Sequence, residues 1–214
     1  MATNPLNPDF FRRLDDSNDE LFYLAPRFVV HIDEAAIRTV EQIYLDRLPR
    51  GGAILDLMSS WRSHLPGELK PARAVGLGLN RAEMEDNPAL SEIVTHNLNR
   101  APQLPFDSES FDGAVLTVSV QYLIHPVEVF SEVGRTLRPG APFIVTFSNR
   151  MFPTKAVAIW TQADDRQRID LVNYYFTAGA AFEKIERIDR SSGKGDPIWA
   201  VLGYRKQNPE KPGR

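Results

Sequence analysis

A carboxylate followed by two small hydroxyl side chains is the first group of residues in this chain that could bind a ligand. Asp56 lies near the end of a short apolar run, residues 53–57, and Ser59 and Ser60 follow it. A buried parallel strand that opens into a ligand crevice at its carboxyl end has this pattern. The same residues also fit a turn aspartate and two helix-capping serines. The rest of the chain is needed to choose between these interpretations.

The chain has four histidines, and two of them are candidates for proton transfer. No pair has the i, i+4 helical spacing beside a carboxylate set that a zinc site needs, so no metal is predicted. His31 and His64 are candidates for a base that removes an acidic proton from a substrate. Packed histidines are the alternative interpretation. The other two are His96 and His125.

Several other chemistries find no support in the sequence. There is no cysteine, which excludes disulfides, zinc–thiolate sites and a cysteine nucleophile. No Gly-x-Ser-x-Gly motif is present, so the serines do not indicate a hydrolase. Gly76 and Gly78 begin a nicotinamide-like glycine pattern, but Arg81 stands where the third glycine belongs.

The elements that must position these residues alternate between strand-like and helix-like stretches. Such alternation predicts an α/β fold with a parallel sheet. The last two strands are joined by a short loop, which fits an antiparallel hairpin. The predicted sheet therefore has seven strands and is mostly parallel. Its strands are placed at residues 53–57, 72–79, 93–98, 111–120, 142–147, 182–188 and 198–204, and its helices at 33–48, 126–137, 154–162 and 165–178.

Ligands in such sheets bind beyond the carboxyl ends of the central strands. This rule selects five segments, at residues 56–60, 78–80, 97–99, 118–121 and 148–150. Asp56 is in the first of them, which favours the binding-site interpretation.

The chain is predicted to have three parts: an N-terminal arm and cap at residues 1–32, a domain at 33–206 and a disordered tail at 207–214. The aromatic, charge-mixed segment from residue 10 to residue 32 is either a lid over a site or a satellite hydrophobic cluster. A length of 214 residues fits one domain with decorations. The net charge of −3 and the lack of a basic block disfavour nucleic acid as a partner. Neither a signal peptide nor a membrane-spanning run is recognised, so a cytoplasmic protein with no membrane partner is expected.

The order of three motifs carries a family resemblance. An LPF…SFD turn at residues 104–112 precedes a Val-rich strand, which ends in QYLIHP at 121–126. A helix then ends in EVGRTLRPG at 132–140. The chain resembles the class I S-adenosylmethionine-dependent methyltransferases of the type 11 group over roughly residues 54–147. The resemblance implies a Rossmann-like methyltransferase fold and S-adenosylmethionine as the cofactor.

The cofactor loop departs from that family's pattern. Met58, Ser60 and Arg62 stand where the family has glycines. The ribose-binding carboxylate at the end of the second strand is replaced by Gly78, with Asn80 two residues later. Two motifs, DLMSSWRSHLP at residues 56–66 and FYLAPRFVVHID at 22–33, resemble a divergent branch of methyltransferase-like proteins.

The resemblance implies roles for specific residues. Asp56, with Ser59 and Ser60, would hold the methionine end of the cofactor. Gly78 and Asn80 would face the ribose. The adenine would lie at Asn97, Leu98 and Asn99, and the methyl-donor channel at Val118, Ser119 and Gln121. Substrate contacts would come from Tyr23, Arg27, Trp61 and Asn149, with a surface ion pair as the alternative for Arg27.

Two functions remain open from the sequence. The first is methyl transfer to a small-molecule acceptor, with the segment at residues 10–32 as part of a lid. The second is a non-catalytic methyltransferase-like protein that serves binding or regulation. The first requires that the side chains of Met58 and Arg62 leave room for an adenosyl sulfonium. The sequence does not indicate the oligomeric state or the pathway.

Overall fold

A seven-stranded sheet organises the computed structural model, which describes residues 6–191, 193 and 195–207. The strands are β1 Ala53–Leu57, β2 Arg73–Gly78, β3 Glu92–Thr95, β4 Gly113–Thr117, β5 Pro142–Phe147, β6 Phe182–Asp189 and β7 Trp199–Arg205. Their order across the sheet is β3-β2-β1-β4-β5-β7-β6. The first five are parallel, and β7 is antiparallel to both β5 and β6. The predicted fold class is confirmed.

Three strands are shorter than the sequence predicts, the second by only one residue at each end. The third was expected to reach residue 98 but ends at Thr95, because the Oδ1 of Asn97 accepts the N–H of Asn99 and forms a turn. The fourth was expected to reach residue 120 but ends at Thr117. Val118 has φ +47°, which takes the chain out of the extended conformation.

Six α-helices and three short 3₁₀ turns connect and cover the strands in the described residues. Asp33 caps the long helix before β1 as predicted, since its Oδ1 accepts the N–H of Ala36 at 2.8 Å. One helix begins at Ala158 instead of residue 154. The helices are α1 Asp19–Phe22, α2 Glu34–Arg47, α3 Arg81–Glu85, α4 Pro126–Thr136, α5 Ala158–Gln162 and α6 Asp165–Ala178, and the 3₁₀ turns are Pro8–Phe11, Gly67–Leu69 and Val120–Tyr122.

The hydrophobic core has two parts, one on each face of the sheet. Successive side chains of β1 alternate between them: Ile54 joins one cluster and Leu55 the other. Val40 and Tyr44 of α2 pack in the Ile54 cluster. The other cluster contains Phe130 of α4 together with Tyr175 and other residues of α6. The sheet is thus covered on both sides, and its carboxyl edge is left for ligands.

The segment before α2 crosses the carboxyl edge of the sheet. It contains Pro8–Phe11 and α1, and Asp15 N–H donates to the carbonyl of Thr154 at 2.8 Å. Residues 1–5 of the predicted arm, and all of the predicted tail except Gln207, lie outside the described residues. In the described part of the chain no helix combines the length and the apolar character needed to cross a bilayer.

Candidate active site

A cavity of about 760 Å³ lies beyond the carboxyl ends of β1, β2 and β4. Its inner wall consists of the strand ends and the loops that follow them. Residues 29–33 of the N-terminal segment and residues 149–153 of the loop after β5 form its outer wall. Sites for cofactors and small molecules have volumes of roughly 300–1,000 Å³. The cavity therefore has room for a ligand of nucleoside size and a second small molecule.

Most residues predicted for the site line this cavity, although their roles in binding stay predictions. Two residues lie outside the lining, Trp61 and Gln121. Those in the lining are Tyr23, Arg27, His31, Asp56, Ser59, Ser60, His64, Gly78, Asn80, Asn97, Leu98, Asn99, Val118, Ser119 and Asn149.

The positions of Trp61 and Gln121 have physical causes. The Trp61 Nε1–H donates to Asp86 at 2.6 Å, and its ring packs edge-on against Phe28, so it does not form the predicted cavity wall. Gln121 is 1% exposed, and its Nε2 donates to the carbonyl of Val118 at 2.9 Å. It supports the strained turn after β4 from below instead of lining the channel.

Asp56 is the buried carboxylate at the end of β1. Its Oδ2 accepts hydrogen bonds from the hydroxyls of Ser59 and Ser63, each at 2.6 Å. Among the described residues none donates to its Oδ1. Burial raises the pKa of Asp56 to about 7, against the lowering effect of the two hydroxyls. The site thus contains a carboxyl group whose Oδ1 accepts no hydrogen bond from the described residues. Its ionised form is destabilised by burial.

The raised pKa of Asp56 has a consequence for stability. Between the ordinary aspartate pKa near 4 and about 7, the unfolded chain has lost a proton that the folded chain retains. The contribution of Asp56 to the free energy of unfolding therefore falls as the pH rises through this window. We expect Asp56→Asn to lose less stability than the wild type between pH 5 and pH 8.

Urea unfolding at several pH values measures this difference. Burial lowers the pKa of His31 and of His64, which acts in the opposite direction at acidic pH. Both histidines remain in the variant, so their effect cancels in the comparison. Parallel stability profiles for the two proteins would contradict the raised pKa.

Met58 and Arg62, which stand where the resembled family has glycines, leave the cavity open. Met58 has φ +52°, so it keeps the left-handed backbone that glycine would adopt, and it packs partly against the core. The Arg62 guanidinium lies 3.8 Å from the centre of the Trp61 ring and donates to the carbonyl of Asp86. Both residues contribute to the lining without filling the space.

Gly78 is required by a close approach of the loop after β1. A Cβ at this position would lie 2.1 Å from the carbonyl oxygen of Ser59. The Ser59 N–H also donates to the carbonyl of Leu77 at 2.8 Å, which fixes the loop across the end of β2. No side chain fits at position 78, so the carboxylate that the methyltransferase family has there is sterically excluded.

We expect Gly78→Ala to destabilise the fold by about 2–3 kcal/mol, because the added methyl group must displace backbone. Gly67→Ala is the matched control, since a Cβ at Gly67 meets nothing within 4 Å. Urea unfolding of both variants measures the difference. Equal stability of the two would show that the loop does not press on Gly78.

Glu83 is another buried carboxyl group in the cavity lining, and it was not among the residues predicted from the sequence. It lies on α3 and is 5% exposed. Its Oε1 accepts the backbone N–H of Arg27 at 2.6 Å, and its Oε2 accepts the hydroxyl of Ser60 at 2.5 Å. A carboxylate has about four acceptor positions, so each oxygen can still accept a bond from a ligand.

Asn80 and Asn99 tie the N-terminal segment to the sheet. Asn80 Nδ2 donates to the carbonyl of Tyr23 at 2.9 Å, and its Oδ1 caps α3 through the N–H of Glu83. Asn99 Nδ2 donates to Asp19 and to the carbonyl of Tyr122, each at 2.9 Å. Both side chains hold protein groups in this structure, in addition to lining the cavity.

Arg27 lies among aromatic rings. Its guanidinium is 4.7 Å from the ring centre of Phe22 and 5.5 Å from those of Tyr23 and Phe152. One nitrogen, Nη2, donates to the carbonyl of Phe22, while Nη1 is buried and has no hydrogen-bond partner in the described part of the chain. The alternative of a surface ion pair is not realised among the described residues.

A buried ion network anchors the segment that carries these residues. Lys155 is fully buried, and its Nζ lies 3.2 Å from Asp15 and 3.3 Å from Asp19. Asp19 also accepts Arg13 Nη1 at 2.7 Å. Lys155 donates to the carbonyl of Ser17 as well. Residues 13–19 are thus fixed to the loop before α5, and the outer wall is part of the folded domain.

The comparisons with known proteins agree with this geometry. Residues 72–145 match the family model described as a methyltransferase domain. The solved structure of an S-adenosylmethionine-dependent methyltransferase from Mesorhizobium loti has the same fold, with a TM-score of 0.56 and 16% identity over 81% of this chain and 99% of that one. The chain thus has the class I methyltransferase fold.

Two other proteins that resemble this chain are named for different functions. The [4+2]-cyclase SpnF has a TM-score of 0.60 at 15% identity, with 82% of both chains covered. The biotin biosynthesis bifunctional protein BioHC of Teredinibacter turnerae is 36% identical over 69 residues, which is 32% of this chain. The matched stretch spans only 12% of the length of BioHC.

The superfamily pattern alone does not indicate Glu83 or Phe152. Phe152 lines the cavity and contacts Arg27, His31 and Tyr122 from the loop after β5. Its loop carries no motif. Glu83 had a usable signal, since Asn80 three residues earlier forms an N-cap pattern that begins a helix at the end of β2.

Proposed function

We propose that this protein is an S-adenosylmethionine-dependent methyltransferase that acts on a small molecule. The observation that carries the proposal is the cavity of about 760 Å³ at the carboxyl ends of β1, β2 and β4, with the Asp56 carboxylate at its base. The match of residues 72–145 to the methyltransferase-domain model supports the choice of cofactor. The lining also suits a cationic ligand, because the buried carboxyl groups of Asp56 and Glu83 bond to hydroxyl and N–H groups and to no cationic side chain among the described residues.

The chain's own groups fit this cofactor. Oδ1 of Asp56 is available for the ammonium group of the methionine end. Glu83 can bind the ribose in place of the carboxylate that the family has at position 78. Asn80 caps α3, the helix on which Glu83 lies. The Ser119 hydroxyl is buried, lines the cavity and has no partner among the described residues, so it can bond a ring nitrogen of adenine near Leu98.

Methyl transfer from a sulfonium is a displacement in line, and S-adenosylmethionine supplies the activated methyl group. The protein's contribution is to hold the two reactants close together and to keep water out. The aromatic side chains of the lining, Tyr23 and Phe152, are suited to both tasks. A small acceptor is favoured because the cavity is bounded by residues 29–33 and 149–153.

Calorimetric titration with S-adenosylhomocysteine and S-adenosylmethionine tests the proposal. We expect saturable binding of both in the micromolar range, and no binding of AMP at the same concentrations. AMP shares the adenosine part but lacks the amino acid that Asp56 would hold. The absence of heat and of a thermal shift with millimolar S-adenosylhomocysteine would overturn the proposal.

A binding or regulatory protein is the second candidate. It is favoured by the close approach of the Ser59 carbonyl to Gly78, which removes the family's ribose carboxylate. If S-adenosylhomocysteine fails to bind in the same titration, the binding or regulatory protein is favoured over the enzyme. When it binds, transfer of a labelled methyl group to any acceptor in a small-molecule panel supports the enzyme.

A further inference from the structure

His31 and His64 both line the cavity, and the proposed cofactor contacts use neither of them. His31 is exposed and lies on the N-terminal segment, and half-buried His64 is in the loop after β1. In the described part of the chain neither imidazole has a hydrogen-bond partner. His64 also has φ +54°, a strained conformation for a non-glycine residue. Two unpaired imidazoles in a cavity are available to a ligand.

The two rings differ in their surroundings. Burial, together with the smaller effects of the nearby His31 and Arg62, lowers the pKa of His64 to about 4. Burial also lowers the pKa of His31, but the Glu83 carboxylate acts in the opposite direction. His31 is therefore better able to carry a proton received from a ligand, and His64 remains neutral. The charged groups that line the cavity around the pair are Asp19, Arg27, Asp33, Asp56, Arg62, Glu83, Arg150 and Asp196.

The walls beside His31 are aromatic and apolar. Phe152 packs edge-on against the His31 ring with centres 5.2 Å apart, and Val29, Val30 and Met151 complete this part of the lining. Asp56 and Glu83 are buried and have no cationic side chain paired with them among the described residues, so they oppose an acceptor that enters as an anion. An uncharged aromatic molecule fits these walls, and the two imidazoles are suited to one that carries an ionisable proton.

We propose that the acceptor is an uncharged aromatic hydroxyl compound, that His31 takes its proton, and that His64 positions its oxygen. This inference rests on the proposed function and names its substrate class. The hydroxyl O–H bond breaks and the proton goes to a ring nitrogen of His31. The oxygen electron pair forms the O–CH₃ bond as the sulfur–methyl bond breaks. The two electrons of the broken bond stay on the sulfur, which becomes a neutral thioether. The exposed His31 imidazolium then releases the proton to water.

Absorbance of 4-nitrophenol bound to the S-adenosylhomocysteine-loaded protein tests this, because the phenol and phenolate forms have different spectra. At a pH where the free probe is mostly protonated, we expect wild-type protein to bind it as phenolate. His31→Asn should bind the probe as the neutral phenol. His64→Asn should still produce phenolate but bind about fivefold to tenfold more weakly, since one hydrogen bond is lost.

His125→Asn is the matched control and should behave as the wild type, because His125 precedes α4 and lies outside the cavity lining. Benzoate and 4-nitroanisole should bind poorly, the first as an anion and the second because it has no proton to give. Failure of S-adenosylhomocysteine itself to bind would overturn the proposed function. Given that it binds, neutral phenol in the wild type, unchanged phenolate in His31→Asn, or no uptake of millimolar probe would each overturn this inference alone.

Discussion

Replacing Asp56 by asparagine is expected to weaken the binding of S-adenosylhomocysteine by roughly 10- to 100-fold. Asparagine keeps the shape and can still accept the hydroxyl bonds of Ser59 and Ser63. It loses the charge that would face the ligand's ammonium group. A hydrogen bond between charged groups contributes about 1.5–3 kcal/mol, which corresponds to this range of affinity. Calorimetric titration at pH 8, where the wild-type carboxyl is ionised, measures the effect.

Asp46→Asn is the control for this substitution. Asp46 is on α2, where it accepts a hydrogen bond from Gln42, and it does not line the cavity. Its variant should bind S-adenosylhomocysteine as the wild type does. If Asp56→Asn bound with wild-type affinity while remaining folded, Asp56 would have no role in holding the ligand.

Replacing Asp19 by asparagine is expected to release the N-terminal segment. Asp19 is 5% exposed and neutralises Lys155 and Arg13, which are 0% and 6% exposed. Removing one partner from buried charges costs about 3–5 kcal/mol, because the remaining charges are left without compensation. Amide hydrogen exchange at Asp15 and Tyr23 should become faster by on the order of a hundredfold or more.

Glu85→Gln provides the comparison for an exposed ion pair. Glu85 and Arg81 on α3 are 54% and 66% exposed, and such pairs contribute about 0–1 kcal/mol. Its exchange rates at Asp15 and Tyr23 should equal those of the wild type. Unchanged exchange in Asp19→Asn would mean that the ion network does not hold the segment in place.

The sheet was predictable because its information is local. Each of the five parallel strands is a short apolar run, and the loop between Asp189 and Trp199 is too short for a parallel crossover. The strand ends were less predictable, since they depend on single backbone angles. Val118 is β-branched and favours a strand by propensity, yet its φ of +47° ends β4.

The inner half of the cavity could be located from the strand-end rule, which selected Asp56, Gly78 and Ser119. The outer half could not, because it depends on contacts between distant parts of the chain. Lys155 bonds to Ser17, 138 residues earlier, and Arg27 bonds to Glu83, 56 residues later. No periodicity or spacing connects such pairs. The choice between a lid and a satellite cluster was therefore open until the structure put residues 29–33 in the lining.

The direction in which a side chain points also could not be predicted from the sequence. Trp61 and Arg62 are neighbours of the predicted site, but they form a stack that faces Asp86 and Phe28. The close approach of Ser59 to Gly78 likewise depends on the three-dimensional path of the loop. Both features leave the central volume of the cavity free.

A crystal structure of the protein with S-adenosylhomocysteine would show whether the cavity holds the proposed cofactor. We expect the ligand inside the cavity, with its amino group at Oδ1 of Asp56, its ribose near Glu83 and its adenine near Leu98 and Ser119. An unchanged, ligand-free cavity at saturating S-adenosylhomocysteine, or a ligand bound away from Asp56, would contradict this expectation.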